Sequence, residues 1–124
     1  MHKKKILLAE DNQFILRSFK HLLNEQGSYD IDTVCDGALV VSIVKEFQPD
    51  VLVLDLILPN INGFDILKEL RSSKEFDTLP IIVATSLGQN EDKEIVMNLG
   101  ATDYIIKSQI TGKDLVDKIT KVLE

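Results

Sequence analysis

Acidic, hydroxyl and amine side chains follow the short apolar stretches of this sequence. Glu10 and Asp11 follow the first stretch, Asp55 the third, Thr85 the fourth and Lys107 the fifth. If the stretches are parallel strands of one sheet, their carboxyl ends share an edge, and these five side chains converge there. Carboxylate oxygens together with bound waters suit a hard divalent cation such as Mg²⁺ or Mn²⁺. The residues therefore predict a cation site built around carboxylates.

Electrostatic repulsion within such a group makes a cation necessary. Two carboxylates about 4 Å apart repel each other by roughly 4 kcal/mol at an effective dielectric constant near 20. Without a neutralising ion, the group would take up protons or spread apart. Asp55 is the most informative member, because it interrupts the apolar run 51–58, where a charge is costly unless it has partners.

The chemistry that this arrangement favours is phosphoryl transfer. A carboxylate at Asp55 can attack a phosphorus atom while the cation and Lys107 offset negative charge on the equatorial oxygens. Thr85 can donate a hydrogen bond to one of those oxygens. The same arrangement favours attack by water on the resulting acyl phosphate, so we expect the modification to reverse itself.

Each residue taken alone also has a simpler structural role. Glu10 and Asp11 could stabilise the N-terminus of the first helix, where carboxylates contribute about 0.3–1 kcal/mol. Thr85 is a common type of strand residue, and Lys107 alone is typical of a solvated surface. The placement of all five residues at strand ends is what favours a functional site.

The elements that must position these residues alternate along the chain. Apolar stretches rich in β-branched residues predict parallel strands covered on both faces, at 6–8, 31–34, 51–54, 81–84 and 104–106. Apolar residues at helical spacing follow each of them, and the segment 91–99 has the weakest helical pattern. The alternation predicts an α/β fold, a doubly wound (βα)₅ parallel sheet, with residues 1–124 as a single domain.

Composition limits the functional classes. The 124 residues are 44% hydrophobic and 27% charged, and the net charge of −6 argues against a nucleic-acid-binding surface. No apolar stretch approaches the roughly 18 residues that span a bilayer. The start of the sequence has only about four apolar residues before Glu10, too few for a signal-peptide core, which favours a cytoplasmic protein without membrane contact. The single cysteine, Cys35, cannot form an internal disulfide, and we predict that it is a small buried residue at the end of a strand.

Taken together, these motifs resemble those of the receiver domain of two-component response regulators, the CheY-like family. The resemblance covers nearly the whole chain, through Glu10-Asp11, Asp36-Gly37, Asp55-Leu56-Ile57-Leu58-Pro59 with Gly63, Thr85, Gly100-Ala101, and Tyr104 before Lys107. It implies a flavodoxin-like fold with the strand order 2-1-3-4-5.

The resemblance also implies a metal-binding and phosphoacceptor role for the acidic residues. Asp55 is similar to the aspartate that becomes phosphorylated. Asp11 and Asp55 resemble direct metal ligands, and Glu10 would act through a water molecule. The backbone carbonyl of Ile57 would complete the protein's share of the ligands.

Two departures from the family pattern stand beside the residues that would hold the phosphoryl group. Thr85 and Lys107 resemble the pair that binds the phosphoryl oxygens, and Tyr104 resembles the aromatic switch that turns inward as Thr85 moves. Receivers usually carry a cis proline after this lysine, whereas Ser108 follows here. A cis bond before a non-proline residue costs roughly 2.5–4 kcal/mol, so the loop either keeps a strained bond or is trans and repositions Lys107. Ser86 stands where alanine is frequent, which is expected to alter the lifetime of the phosphorylated form.

The function implied is that of a switch, whose only reactions are self-phosphotransfer and autodephosphorylation, and not that of a conventional enzyme. A sensor histidine kinase or a histidine phosphotransfer protein would supply the phosphoryl group. The face formed by the fourth helix, fifth strand and fifth helix would then bind a downstream protein or a second copy of the chain. A phosphorelay intermediate and a phosphorylation-independent scaffold stay open as alternatives. Nucleotide-binding glycine motifs are absent, and Ile57 stands where a dehalogenase-like phosphatase would carry a second aspartate.

Overall fold

The computed structural model describes residues 3–86 and 90–124, in which strands and helices alternate. The elements are β1 (Lys4–Ala9), α1 (Gln13–Gln26), β2 (Tyr29–Val34), α2 (Gly37–Phe47), β3 (Val51–Leu54), α3 (Gly63–Arg71), β4 (Ile81–Thr85), α4 (Asn90–Asn98), β5 (Asp103–Ile106) and α5 (Gly112–Val122). A 3₁₀ turn at Lys107–Gln109 links β5 to α5.

Within these residues the strands form a parallel sheet in the order β2-β1-β3-β4-β5. β3 lies at the centre, where Leu54 is in register with Ala9 of β1 and with Val83 of β4. Every residue of β3 and of β4 is buried, as expected for apolar strands that are covered on both faces. The predicted doubly wound α/β fold and its strand order are confirmed.

Helices cover both faces of the sheet because successive strand residues point to opposite sides. Leu7 and Leu52 belong to the core on the face that α2, α3 and α4 cover. Ile6 and Val53, their neighbours in sequence, belong to the core on the face that α1 and α5 cover. The central strands β3 and β4 are therefore covered on both faces, whereas the edge strand β2 exposes Asp30 and Asp32.

Polar residues begin the helices at that edge. The side chains of Asn12, Asp36, Asn62 and Thr111 each accept a hydrogen bond from a backbone N–H in the first turn of α1, α2, α3 and α5, respectively. Thr111 and Asp114 form a reciprocal capping box. These caps fix where each helix starts, and thereby set the short connections that carry the predicted site residues.

Cys35 is exposed, so the prediction that it is buried is wrong. β2 lies at the edge of the sheet and ends at Val34, which is buried. Cys35 follows it in the turn toward α2, outside both cores. The predicted end of the strand at Val34 is therefore right, but the residue that follows it is exposed and not buried.

The weak helical pattern at 91–99 corresponds to a helix with a narrow apolar face. α4 runs from Asn90 to Asn98, and Val96 is buried, whereas Ile95 and Met97 are exposed. The helices of the described residues are all too short or too polar to cross a membrane.

Candidate functional site

The carboxylates predicted from the sequence meet at the carboxyl edge of the sheet. Glu10 follows β1 and Asp55 follows β3, and the backbone N–H of Asp55 donates to the carbonyl oxygen of Ala9 at 3.0 Å. One carboxylate oxygen from each of Glu10, Asp11 and Asp55 lies within 4.8 Å of the other two. The pairing of β1 with β3 is therefore what brings the three acidic residues together.

The chemistry of this donor set fits a hard divalent cation. Glu10 and Asp55 are buried, with about one-twentieth of their surface exposed, while Asp11 faces solvent. Three carboxylate oxygens within a few ångströms offer Mg²⁺ or Mn²⁺ the ligands it prefers, and the exposed side leaves room for water. The residues present therefore fit such an ion.

Lys107 supplies a positive charge inside the same group. Its ammonium donates hydrogen bonds to Glu10 Oε1 and, at 2.9 Å, to Asp55 Oδ2. Lys107 itself is mostly buried, with 17% of its side chain exposed. The amine therefore offsets part of the repulsion between two buried carboxylates.

Burial and hydrogen bonding shift the pKa values of Glu10 and Lys107. Removal from water raises the pKa of Glu10, and the hydrogen bond and charge of Lys107 oppose that increase only in part. Burial by itself would lower the pKa of Lys107, but its hydrogen bonds to Glu10 and Asp55 outweigh this and raise the pKa. Lys107 is therefore a stable cation at neutral pH.

The lysine reaches its partners without the proline that the family usually has. The peptide bonds of the described residues are trans, and Lys107–Ser108 is among them. The 3₁₀ turn begins at Lys107 itself. Of the two geometries that the sequence left open, the loop has the trans one, and the amine still contacts Asp55.

Capping of α1 does not account for Glu10 and Asp11. Asn12 is the capping residue, and its Oδ1 accepts from the backbone N–H of Ile15 at 3.1 Å. The backbone N–H of Asn12 in turn donates to Glu10 Oε2 at 3.2 Å. The second oxygen of Glu10 is thus held in place, which leaves its carboxylate oriented toward Lys107.

Thr85 and Tyr104 lie on neighbouring strands close to this group. Thr85 ends β4, is fully buried and is in register with Ile106, the residue before Lys107. Tyr104 is half-buried against the core on the α4 face. Burial raises the pKa of the Tyr104 hydroxyl, and the negative charge of Asp92 adds to the effect. Ser86, the other departure from the family, is exposed.

The residues after Asp55 form a closed loop. The backbone N–H of Ile57 donates to Asp55 Oδ1 at 3.1 Å, and that of Gly63 donates to the carbonyl oxygen of Leu56 at 2.8 Å. The side chain of Ile57 is half exposed. Ile57 therefore contacts the carboxylate through its amide, while the role of its carbonyl as a metal ligand stays a prediction.

Two features near the site were not identified from the sequence. Asn60 Nδ2 donates to Asp36 Oδ1 at 2.9 Å and so joins the loop after β3 to the start of α2. Phe14 has 76% of its surface exposed beside a groove of about 240 Å³ between α1 and α5, which Lys107 also lines. The sequence indicates only part of the Asn60 contact, because an asparagine that follows a proline often occupies a turn position with a positive φ.

Comparison with protein families gives one match over most of the chain. The family model described as the response regulator receiver domain matches residues 6–120. A solved structure, that of the phosphorylated cyanobacterial phytochrome response regulator RcpA, is 28% identical and superposes with a TM-score of 0.85. That superposition covers 97% of this chain and 93% of the other.

Curated relatives are longer than this chain. The probable transcriptional regulator ycf27 of Porphyridium aerugineum is 39% identical over 123 residues, which are 99% of this chain and 49% of that protein. The alkaline phosphatase synthesis transcriptional regulatory protein PhoP of Bacillus subtilis is 35% identical over 104 residues, which are 84% of this chain and 42% of that protein. The chain thus spans about half the length of the curated relatives it matches.

Proposed function

This chain belongs to the family of response regulator receiver domains, and we propose that it accepts a phosphoryl group on Asp55 in a reaction that depends on Mg²⁺ or Mn²⁺. The observation that carries the proposal is the grouping of carboxylate oxygens from Glu10, Asp11 and Asp55 within 4.8 Å of one another. Lys107 donates a hydrogen bond to Asp55 in the same group. We treat residues 1–124 as one receiver domain, since the family match runs from 6 to 120.

The reaction uses the carboxylate of Asp55 as a nucleophile. An oxygen of Asp55 attacks the phosphorus of the donor, the bond from phosphorus to the donor breaks, and an acyl phosphate forms. The cation, when bound, would neutralise charge on the carboxylates and on the phosphoryl oxygens. Asp11 and Asp55 are proposed as direct ligands, with Glu10 acting through water and the carbonyl of Ile57 as a further ligand.

Lys107 and Thr85 are proposed to hold the phosphoryl group. The amine already lies 2.9 Å from Asp55 Oδ2, so it can move from the carboxylate to a phosphoryl oxygen without a large displacement. The hydroxyl of Thr85 at the end of β4 would donate to a second oxygen. Attack by water on phosphorus then releases inorganic phosphate and restores the carboxylate of Asp55, which resets the switch.

We propose that this chain is cytoplasmic and that its phosphodonor is a sensor histidine kinase or a histidine phosphotransfer protein. The groove between α1 and α5 supports this, because an exposed aromatic residue, Phe14, stands beside it and Lys107 connects it to the acidic group. Exposed aromatic residues at a concave site are typical contact points for a partner protein. A helix of the donor that packs there would bring its phosphohistidine toward Asp55.

The output is proposed to pass through the face formed by α4, β5 and α5. Ile95 and Met97 are exposed on α4. Tyr104 lies on β5, and we propose that its side chain turns inward when Thr85 moves. Binding of a downstream protein, or of a second copy of the chain, would read this change. The relatives named as transcriptional regulators suggest a DNA-binding partner or domain, while the net charge of −6 supports a receiver that does not itself contact nucleic acid.

Intact-mass measurement after incubation with Mg²⁺ and a small acyl phosphate donor tests the proposal. Wild-type protein should gain one phosphoryl group, and the gain should vanish with a chelator and in Asp55→Asn. Asp50→Asn, which changes an exposed aspartate before β3, is the matched control and should behave like wild type. A phosphoryl adduct of equal yield in Asp55→Asn, or none in wild type, would contradict the proposal.

A further inference from the structure

The loop after β3 is joined to the start of α2 by two hydrogen bonds. Asn60 Nδ2 donates to Asp36 Oδ1 at 2.9 Å, and the backbone N–H of Gly37 donates to the carbonyl oxygen of Pro59 at 2.9 Å. A Cβ atom at Gly37 would lie only 1.8 Å from the carbonyl oxygen of Ile61. The two segments are therefore in direct backbone contact. We call residues 55–62 the acceptor loop.

The other end of the acceptor loop contacts the Asp55 carboxylate. The N–H of Ile57 donates to Asp55 Oδ1 at 3.1 Å, and the N–H of Gly63 donates to the carbonyl oxygen of Leu56 at 2.8 Å. A Cβ atom at Gly63 would lie 2.5 Å from the carbonyl oxygen of Asp55. The loop is thus closed by a hydrogen bond between Gly63 and Leu56, next to the Ile57 amide.

Asparagine at position 60 meets two requirements, a positive backbone φ angle and a side-chain hydrogen-bond donor. Its φ angle is 71°, in the left-handed region that asparagine tolerates better than most residues. Its side-chain amide meets an acceptor that is already oriented, because Asp36 Oδ1 also accepts from the N–H of Ala38 at 2.9 Å. The hydrogen bond from Asn60 and that from Ala38 hold the pKa of Asp36 below its usual value, so the acceptor stays ionised at neutral pH.

We infer that Asp36 and Asn60 are positioning residues, which fix the acceptor loop so that the Ile57 amide orients the Asp55 carboxylate for the metal ion and for phosphoryl transfer. The inference rests on the proposed function for its metal, and on the observed hydrogen bonds for its geometry. Neither residue belongs to the acidic group itself. Their effect passes along the loop, from α2 through residue 60 to the amide of residue 57.

Asn60→Gly is the sharpest variant, because glycine keeps the positive φ and removes only the side-chain amide. Two quantities should change in this variant, namely the dissociation constant for Mg²⁺, from calorimetric titration, and the exchange rate of the Ile57 amide, from NMR. We expect Mg²⁺ to bind about fivefold more weakly and the amide to exchange about fivefold faster, as for the loss of one hydrogen bond. Asp36→Ala should have the same effect, and Asp36→Asn should rescue it because its carbonyl oxygen accepts the same bonds.

Asp50→Ala is the matched control for a general loss of stability. Its Oδ2 accepts from the N–H of Lys5 at 2.7 Å, at the opposite edge of the sheet, so the variant also loses one exposed hydrogen bond. It should leave Mg²⁺ binding and Ile57 exchange as in wild type. Unchanged Mg²⁺ affinity and Ile57 exchange in Asn60→Gly would overturn the inference, even if the free energy of unfolding falls. If wild type binds no Mg²⁺, the proposed function fails, and Ile57 exchange alone still decides whether the bridge positions the loop.

Discussion

Lys107 Nζ lies 2.9 Å from Asp55 Oδ2, although β4 separates the two strands after which these residues stand. The side chain therefore reaches across the carboxyl end of β4 to contact a residue that follows β3. Glu10, which follows β1, is its second partner. One amine thus joins the ends of three strands, and both carboxylates that it contacts are buried.

Lys107→Gln should destabilise the metal-free protein, because the buried carboxylates of Glu10 and Asp55 would lose the positive charge of the Lys107 ammonium. We expect the free energy of unfolding to fall by about 1–3 kcal/mol. Added Mg²⁺ should recover most of this loss, because the ion replaces the missing positive charge. Urea unfolding in the presence of a chelator and in the presence of Mg²⁺ measures both effects.

The control for this substitution is Lys118→Gln. Lys118 pairs with Asp103 at 3.1 Å, but both side chains are about two-fifths exposed. Exposed pairs of this kind contribute less than about 1 kcal/mol. Equal losses in the two variants, or a loss in Lys107→Gln that Mg²⁺ does not reverse, would contradict the electrostatic role of Lys107.

Asp11→Asn should weaken Mg²⁺ binding while leaving the fold intact. Asp11 is exposed, so the substitution removes one ligand charge without creating a buried unpaired group. We expect the dissociation constant to rise at least about tenfold, since a direct oxygen ligand lies about 2 Å from Mg²⁺ and the substitution removes its negative charge. Asp30→Asn, an exposed aspartate on β2, should have no effect on calorimetric titration. Equal affinities in Asp11→Asn and wild type would exclude Asp11 as a ligand.

Gly37→Ala should be strongly destabilising, whereas Gly27→Ala should be close to neutral. The Cβ at residue 37 would lie 1.8 Å from the carbonyl oxygen of Ile61, so the backbone of the acceptor loop must move. We expect a loss of about 2–4 kcal/mol in the free energy of unfolding. At residue 27 the nearest atoms belong to the Tyr29 ring at 3.4 Å, in ordinary contact.

Thermal or urea unfolding of both glycine variants measures the difference. Replacing glycine where the backbone is compatible changes stability by less than about 1 kcal/mol. A small loss in Gly37→Ala would mean that the loop can yield at low cost. The bridge between Asp36 and Asn60 would then be too soft to position Asp55.

The convergence of Glu10, Asp55 and Lys107 could be predicted from the sequence for a geometric reason. Parallel strands place their carboxyl ends at one edge, so residues that follow nearby strands can lie close together whatever path the intervening chain takes. The strands themselves were identifiable because their apolar residues are continuous and bounded by polar ones. The α/β class of the fold and the acidic group followed from these two features, whereas the strand order 2-1-3-4-5 came from the resemblance to receiver domains.

Other features depend on packing that no local pattern encodes. The bond between Asn60 and Asp36 joins positions 24 residues apart and exists only because the acceptor loop lies against the start of α2. The exposure of Cys35 depends on β2 being an edge strand that ends at Val34. The peptide bond Lys107–Ser108 is trans, whereas the sequence was compatible with both the cis and the trans geometry. Each of these needs the positions of neighbouring elements.

Acidification should remove the contribution that the Thr111–Asp114 capping box at the start of α5 makes to the free energy of unfolding. Hydrogen bonds from the backbone N–H and the hydroxyl of Thr111 hold the pKa of Asp114 below its usual value. Because the folded-state pKa is the lower one, ionised Asp114 stabilises the fold above its unfolded-state pKa. This contribution is lost as the pH falls through the folded-state pKa. Asp114→Asn should therefore lower stability at neutral pH and flatten the acid-side decline, which urea unfolding over roughly pH 3–7 measures. Asp117→Asn, on an exposed turn of the same helix, is the control, and an equal change of slope in both variants would rule out a specific role for the cap.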